Sequence, residues 1–222
     1  MIIENIKKII QEAKGIIFDI DNTLVNSFNA DFKKHTKTAR IMGLIPPNKS
    51  KYRKVYGGLS LTNMIKYLYN DKVDLVQYKK IAHKSTNYND FKPLGNINKI
   101  FTTLKKFNKK IGIISNSELL PSTTKLKNIN VDMGMIDSIR CSDTSKYHKP
   151  DPKVFDEILN ELKLKEEEVI FIGDTLHDFI AARSRGIFFV AVIAGISSKK
   201  DFIDLGLNQE FIVKNIDSLF IK

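Results

Sequence analysis

The chain has 222 residues, of which 42% are hydrophobic and 27% are charged, with 36 Lys+Arg against 25 Asp+Glu for a formal charge of +11. These proportions belong to a packed globular protein and exclude a disordered chain, a fibre and a disulfide-stapled mini-protein. The longest apolar run, residues 187–196, is about half of a membrane span, which needs roughly 20 residues.

The first predicted element is an amphipathic helix, because Ile2, Ile6, Ile9, Ile10 and Ala13 recur at helical spacing. The segment is charged along its length and has no small-residue cleavage site, so we expect neither a signal peptide nor a membrane partner. The only cysteine of the chain cannot form an internal disulfide, which predicts a cytoplasmic protein.

Short apolar runs alternate with helical patterns along most of the remaining chain. This alternation predicts an α/β fold, a Rossmann-like and mostly parallel sheet with right-handed crossovers, whose ligand lies beyond the carboxyl ends of the strands. The predicted strands are residues 15–21, 111–116, 168–174, 187–193 and 211–213. The predicted helices between them are residues 97–108, 118–128, 151–163 and 176–185.

Residues 26–93 break this alternation, since they contain no strand-like run. Helical periodicities around 28–43, 60–70 and 72–88 predict a small all-helical domain inserted after the first strand, with residues 1–25 and 94–222 forming the α/β core. The insertion holds 14 Lys+Arg and 4 Asp+Glu, which leaves 22 and 21 for the rest of the chain. Nearly all of the excess charge therefore lies on the inserted helices.

Two acids, Asp19 and Asp21, end the first predicted strand and share one face of it. Bare carboxylates in this arrangement repel each other, and a bound metal or a shared proton is the usual resolution. The alternative is that the pair only caps the helix that follows.

Groups suited to phosphate follow two later strands. The hydroxyl and backbone N–H groups of Ser115 and Asn116 can hold phosphate oxygens, although Ser-Asn is also ordinary turn chemistry. Lys149 precedes a helix that starts with proline, and its ammonium can act there as a point-charge ligand for an anion. The alternative for Lys149 is a plain surface lysine.

Two further acids are expected at the same edge of the sheet. Asp174 ends a strand, and Asp178 lies one helical turn further on and faces the same way. A divalent cation explains four converging carboxylates, those of Asp19, Asp21, Asp174 and Asp178, better than mutual repulsion does. Since no Cys or His cluster accompanies them, Mg²⁺ fits this set better than Zn²⁺.

Taken in this order, the four strand-end motifs resemble those of the haloacid dehalogenase superfamily over essentially the whole chain. The run Asp19-Ile-Asp-Asn-Thr-Leu24 is similar to the first motif, Ser115 to the second and Lys149 to the third. The fourth motif is similar to Gly173-Asp174 together with Asp178.

The inserted helices resemble the cap of the phosphoglycolate-phosphatase-like branch, in which a stretch similar to Gly57-Gly-Leu-Ser-Leu61 is common. One departure is Asn22, where many members carry Gly. Because Asn also adopts a left-handed or turn conformation, we expect no loss of function there. The superfamily requires no histidine at the position of His177, so the role of this residue stays open.

The resemblance implies a phosphatase in which Asp19 attacks phosphorus to form an aspartyl-phosphate. Asp21 would protonate the leaving oxygen and then deprotonate the hydrolytic water. The implied Mg²⁺ ligands are Asp19, the backbone carbonyl of Asp21, Asp174 and the orienting or supplementary Asp178. The implied phosphate-binding residues are Ser115, Asn116 and Lys149.

Four other functions have to be weighed at this point. Haloalkanoate dehalogenases of the superfamily lack the second acid, so Asp21 favours phosphate chemistry, but a phosphosugar mutase keeps both acids and a similar cap. A regulatory protein on the same scaffold would have lost a motif residue, and none is lost. A basic nucleic-acid-binding module would be richer in arginine and in stacking aromatics, which argues against a nucleic-acid partner.

The expected partner is thus a small phosphorylated metabolite, bound by a monomer or a homodimer. The lysine-rich cap has two interpretations. Its lysines either form a solvated outer face or line the cleft and attract substrates that carry a second anionic group.

Overall fold

The computed structural model describes residues 2–70, 73–194 and 196–220. The described strands are β1 (Gly15–Phe18), β2 (Val25–Asn26), β3 (Lys92–Pro93), β4 (Lys110–Ile114), β5 (Ser138–Arg140), β6 (Val169–Gly173), β7 (Phe188–Val192) and β8 (Ile212–Val213). Six of them form one sheet in the order β5-β4-β1-β6-β7-β8, and every neighbouring pair is parallel. The predicted α/β fold with a mostly parallel sheet is confirmed.

Helices cover both faces of this sheet and also make up the segment between β2 and β3. They are α1 (Ile2–Glu12), α2 (Phe28–Ile41), α3 (Lys49–Arg53), α4 (Leu61–Tyr69), α5 (Leu75–Ser85), α6 (Ile97–Lys106), α7 (Leu119–Asn128), α8 (Asp156–Leu162), α9 (Leu176–Arg185), α10 (Lys199–Asp204) and α11 (Asp217–Phe220). None of the helices in the described part of the chain combines the length and the apolarity that crossing a membrane requires.

The sheet has a hydrophobic cluster on each face, which is why its central strands are apolar throughout. Every residue of β1 and β6 is buried. One cluster joins the sheet to α1, α6, α7 and α11, and the other joins it to α8, α9 and α10. Burying one large apolar side chain in this way stabilises the fold by about 1.5–3 kcal/mol. Because many such side chains are buried on both faces, the sheet is a stable support for the residues at its strand ends.

The sequence-based prediction misses one strand of the sheet. Strand β5 has three residues with polar side chains at both ends, so it carries no apolar run to recognise. The helix predicted over 151–163 begins as a 3₁₀ turn at Pro152–Phe155 and becomes α-helical only at Asp156. The helix predicted from 72 begins at Leu75, and residue 72 itself lies outside the described residues.

Helices α2 to α5 pack on one another through aromatic and aliphatic clusters of their own. Tyr52 and Met64 belong to one of these clusters, and Ile65 and Tyr78 to the other. The antiparallel pair β2 and β3 lies where the chain enters and leaves this helical region. We therefore propose the division that the sequence predicts, a cap of residues 26–93 on a core of residues 1–25 and 94–222.

Candidate active site

A cluster of buried acids lies at the carboxyl ends of β1 and β6. Asp19 follows β1, Asp174 follows β6, and Asp178 is the third residue of α9. Each offers one carboxylate oxygen, and these oxygens all lie within 4.8 Å of one another. The structure thus brings together three of the four acids that were predicted to converge on a metal.

Lys149 is the cation of this cluster. Its Nζ donates to Asp19 Oδ1 at 2.6 Å and lies 2.6 Å from Asp178 Oδ1. Burial lowers the pKa of Lys149, but the two carboxylates raise it by more, so the net shift is upward and the side chain stays charged. With 2% of its surface exposed, Lys149 is not a plain surface lysine.

Asp174 has two buried carboxylate oxygens that accept no hydrogen bond from the described residues. Burial raises its pKa well above the ordinary value, and the neighbouring Asp19 and Asp178 raise it further. The pKa of Asp19 is likewise raised to about 7, chiefly by burial, although Lys149 opposes the shift. Buried carboxylates without partners are costly unless a cation binds them. The residues present therefore fit a hard divalent cation such as Mg²⁺, whose preferred ligands are oxygens.

Asp178 also organises the start of α9. Its Oδ2 accepts hydrogen bonds from the backbone N–H of Thr175 at 2.9 Å and from the Thr175 hydroxyl at 2.6 Å. The Thr175 hydroxyl in turn accepts from the backbone N–H of Asp178, which completes a capping box. One oxygen of Asp178 therefore fixes the helix, and the other faces Lys149 and the acid cluster.

Asp21 lies outside that cluster, and its carboxylate has other partners. Asp21 Oδ1 accepts from Lys125 Nζ at 2.6 Å, and Asp21 Oδ2 accepts from the Ser117 hydroxyl at 2.9 Å. Both carboxylate oxygens are thus held by residues that follow β4. A metal contact through the backbone carbonyl of Asp21 stays a prediction.

Asp31 of α2 gathers three donors opposite Asp21. Its Oδ2 accepts from Lys125 Nζ at 2.8 Å and from the Tyr56 hydroxyl at 2.7 Å. Its Oδ1 accepts from Lys34 Nζ at 2.5 Å. Burial raises the pKa of Asp31, but the two lysines lower it by more, so the net shift is strongly downward and the side chain is an anion.

Ser115 and Asn116 occupy the end of β4 as predicted, but their side chains differ in availability. Ser115 Oγ accepts from the backbone N–H of Ser117 at 3.1 Å. The amide of Asn116 donates to the carbonyls of Lys149 at 2.9 Å and Gly58 at 3.3 Å, and its oxygen accepts from the N–H of Lys149 at 3.0 Å. The Asn116 side chain therefore ties three loops together, and phosphate binding by Asn116 stays a prediction that depends on its backbone.

Asn22 adopts the left-handed conformation that its position in the motif predicts, with φ of 59°. Its amide oxygen also accepts from the backbone N–H groups of Ser27 at 3.3 Å and Phe28 at 3.2 Å. Because these donors lie at the start of α2, Asn22 caps the first inserted helix, which a glycine could not do.

Between the strand ends and the inserted helices lies a small cavity of about 80 Å³. Asp19, Asp21 and Ser115 line its core side, and Tyr52 and Met64 line its opposite side. The cavity is partly open to solvent, and its volume is smaller than that of a dry cavity of about 150 Å³, which holds a benzene molecule.

The cavity also bears on the charge of the inserted helices. Among the described lining residues, Lys34 is the only lysine from residues 26–93, and Asp31 already pairs with it. This arrangement favours the solvated-face interpretation for most of the cap charge.

The loop before α4 closes directly onto α9. A Cβ atom added to Gly58 would lie 2.3 Å from Cε1 of His177, so any larger residue here would force the His177 ring to move. His177 is half-buried, and burial lowers its pKa below the ordinary value. The structure therefore places His177 as a contact between the loop and the core.

Comparison with known proteins agrees with this geometry. A family model described as haloacid dehalogenase-like hydrolase matches residues 16–192, which is well over half of the chain. The chain belongs to that family. The predicted superfamily and the prediction of a hydrolytic enzyme are thereby confirmed.

Curated relatives of this haloacid dehalogenase-like hydrolase match nearly its whole length. Pyrophosphatase PpaX of Halalkalibacterium halodurans is 25% identical over 219 residues, which cover 94% of this chain and 95% of the relative. Glyceraldehyde 3-phosphate phosphatase of Methanothermobacter thermautotrophicus is 20% identical over 227 residues, with coverage of 93% and 97%.

Solved structures of the family show the same fold. A haloacid dehalogenase-like hydrolase from Bacteroides fragilis superposes with a TM-score of 0.81 at 23% identity, covering 93% of this chain and 99% of that one. A β-phosphoglucomutase from Clostridium difficile superposes with a TM-score of 0.74 at 18% identity, with coverage of 95% and 93%. At these identities the likeness concerns the fold alone.

Sequence reasoning missed the part of this hydrolase's site that lies around Asp21. The missed residues are Ser117, Lys125, Asp31, Lys34 and Tyr56. Lys125 and Asp31 lie within helices rather than at strand ends, so their positions carry no motif. A lysine or an aspartate on the apolar face of a helical pattern is the one signal that could have marked them.

Proposed function

We propose that this hydrolase is a Mg²⁺-dependent phosphatase that cleaves a small phosphomonoester through an aspartyl-phosphate intermediate on Asp19. The proposed setting is the cytoplasm and the proposed partner a small phosphorylated metabolite. Cys141 is buried and unpaired, which suits a reducing compartment.

The observation that carries this proposal is the different surroundings of the two acids after β1. The Asp19 carboxylate lies among Lys149, Asp174 and Asp178, where a cation and a phosphoryl group can be held together. The Asp21 carboxylate lies on the side of the inserted helices, where a leaving group would sit. Two acids with separate environments suit two separate roles, a nucleophile and an acid/base.

The reaction then has two balanced steps. In the first, an Asp19 oxygen forms a bond to phosphorus, the bond from phosphorus to the leaving oxygen breaks, and the proton on Asp21 passes to that oxygen. In the second, water forms a bond to phosphorus and gives a proton to Asp21, and the bond from phosphorus to Asp19 breaks. Inorganic phosphate leaves, and both acids return to their starting states.

The metal would be held by Asp19 and Asp174, with Asp178 beside them. When bound, Mg²⁺ supplies positive charge that offsets the repulsion between an anionic nucleophile and an anionic phosphate. The ammonium of Lys149 and the hydroxyl of Ser115 add hydrogen bonds to the phosphoryl oxygens as charge moves onto them. Lys149 also keeps Asp19 in place, since it donates to the Asp19 carboxylate.

In the proposed mechanism the inserted helices open to admit substrate and close over it, and the small volume of the cavity supports this movement. Lids of this kind exclude water and complete the catalytic arrangement. The antiparallel pair β2 and β3 is the place where such a movement would bend the chain.

The experiment is phosphate release from a panel of small phosphate esters by the purified protein with Mg²⁺. The names of the relatives add inorganic pyrophosphate and glyceraldehyde 3-phosphate to the panel. EDTA should abolish turnover, and excess Mg²⁺ should restore it. Turnover that survives the chelator would contradict the metal assignment. A hexose phosphate that is isomerised without net phosphate release would instead identify a phosphosugar mutase.

A further inference from the structure

We propose that Lys125 is a positioning residue that holds the carboxylate of Asp21 in place for proton transfer, and that Asp31 of α2 fixes Lys125 when the inserted helices are closed. This inference rests on the proposed function, because it assigns Asp21 the proton-transfer role. It concerns a lysine that belongs to none of the four motifs.

The contacts of Lys125 join three parts of the chain. Its Nζ lies 2.6 Å from Asp21 Oδ1 and 2.8 Å from Asp31 Oδ2. The same ammonium lies 5.0 Å from the ring centroid of Phe91, just before β3. Lys125 therefore contacts the proposed acid/base, the first inserted helix and the segment that leads back to the core.

Burial makes these contacts strong constraints. Lys125 is 3% exposed and Asp31 is 3% exposed, so neither side chain can replace its partner with bulk water. A buried ammonium is tolerated only when it is paired and hydrogen-bonded. The two carboxylates supply that pairing, so the position of Lys125 depends on both at once.

The second oxygen of Asp21 explains why Lys125 matters for orientation. Ser117 holds Oδ2, and Lys125 holds Oδ1, so together they stop the carboxylate from rotating about its Cβ–Cγ bond. Loss of either contact frees that rotation. Misplacement of a proton donor by a fraction of an ångström slows proton transfer without removing the acid itself.

Because of Asp31, the position of Lys125 depends on whether the inserted helices are closed over the core. Asp31 lies on α2, whereas Lys125 and Asp21 lie on the core side of the predicted division. Tyr56 and Lys34 hold Asp31 from within the inserted region. When the inserted helices close, Asp31 comes into contact with Lys125 while its hydrogen bonds to Tyr56 and Lys34 are already formed.

The test compares kcat/KM for alkyl phosphates and for aryl phosphates such as 4-nitrophenyl phosphate. This parameter includes every step through release of the alcohol or phenol. An alkoxide is a poor leaving group and needs a proton from Asp21, whereas a nitrophenolate needs little help. The variants are Lys125→Met, Asp31→Asn and both together, with Lys127→Met as the matched control on the exposed face of α7.

Well-placed general acids accelerate reactions by about 10²–10⁴-fold, so Lys125→Met should lower kcat/KM for alkyl phosphates by about 100-fold. For aryl phosphates the loss should stay below about 5-fold, because the leaving group needs no acid. Asp31→Asn should give the same preference with a smaller loss, and the double variant should be no worse than Lys125→Met, because the two residues act as one unit. Lys127→Met should match the wild type.

An equal loss for both classes of ester, or no loss in a folded Lys125→Met protein, would overturn the inference and leave the phosphatase proposal intact. If Lys125→Met does not fold by circular dichroism, Asp31→Asn decides alone, and a loss independent of the leaving group counts against the inference. A folded wild type that hydrolyses no phosphate ester removes the proposed function and this inference together.

Discussion

Asp19 and Asp21 lie two residues apart, yet each pairs with its own buried lysine, and the two pairs belong to different regions of the molecule. Lys149 joins Asp19 to Asp178 at the ends of β1 and β6, so this region is built from the core alone. Lys125 joins Asp21 to Asp31, so the second region is complete only with α2 in place. In the proposed mechanism, this comparison separates phosphoryl transfer, which we assign to the core, from proton transfer, which we expect to depend on the cap.

The largest expected effect comes from Asp19→Asn, which removes the nucleophile and little volume. Turnover should fall by about 10⁴-fold or more, as it does when the nucleophile of a covalent mechanism is lost. Because the change also removes a buried charge from a crowded acid cluster, the melting temperature in EDTA should not fall. Steady-state kinetics measures the loss of turnover, and thermal denaturation measures the melting temperature. Turnover of this variant at the wild-type rate would contradict the assignment of Asp19 as the nucleophile.

Lys149→Met should be the next most damaging change. Removal of one charged stabiliser of a transition state costs about 10²–10³-fold in kcat, and here the loss should be the same for alkyl and aryl phosphates. That uniform loss is the counterpart of the selective loss expected at Lys125. A leaving-group preference in Lys149→Met would contradict the separation of the two regions.

Asp174→Asn tests the metal independently of activity. Ligands that bind only the folded state stabilise it by about 2.7 kcal/mol at 100 times the dissociation constant, so Mg²⁺ should raise the melting temperature of the wild type by several degrees. The variant should lose most of this increase. An undiminished increase in Asp174→Asn would show that the cation binds elsewhere.

The same variant has a pH signature in EDTA. Burial first, and then the neighbouring acids, raise the pKa of Asp174, and burial raises that of Asp19 to about 7, above their values in an unfolded chain. At these two acids the folded state therefore binds protons more tightly, so their contribution to the stability of the metal-free wild type should fall as the pH rises from about 4 to about 7. The lowered pKa values of His35 and His177 act in the opposite direction, so the comparison is made against the variant and not on the wild type alone. Asp174→Asn should flatten this dependence in denaturant titrations. A wild type that gains stability relative to Asp174→Asn over this range would contradict the prediction.

The smallest effect concerns the closure of the cap loop. A methyl group at Gly58 meets the ring of His177, so Gly58→Ala should raise KM and lower kcat/KM by about 10-fold, since misplacement of a closing element is costly. Adding His177→Ala removes the obstruction and should recover most of the loss. If the double variant is no better than Gly58→Ala, the contact does not govern closure.

The two regions also differ in how far the sequence predicts them. Asp19, Ser115 and Asp174 end apolar runs, and parallel strands bring such ends together, so their convergence follows from the pattern. Lys149 was expected at the same edge and lies there. These predictions needed only the position of each strand in the sequence, which the apolar runs buried on both faces of the sheet indicate.

The region around Asp21 could not be predicted in the same way. Lys125 and Asp31 come from helices whose approach depends on how the aromatic clusters of α2 to α5 pack. A helical pattern indicates which face of the helix is buried. It does not indicate which charged side chain on another element will pair with a charged side chain on that face. Strand β5 was missed for a related reason, since its three residues are recognisable as a strand only beside β4.

The most direct test of the account is to trap the covalent intermediate. Asp21→Asn is mixed with 4-nitrophenyl phosphate and Mg²⁺, and the intact protein and its peptides are analysed by mass spectrometry, with Asp19→Asn/Asp21→Asn as the control. Because the good leaving group needs no acid and the hydrolytic step lacks its base, we expect one phosphoryl group on Asp19 and none on the control. An unmodified Asp21→Asn protein that still releases nitrophenol at a steady rate would contradict the assignment of Asp19 as nucleophile and Asp21 as acid/base.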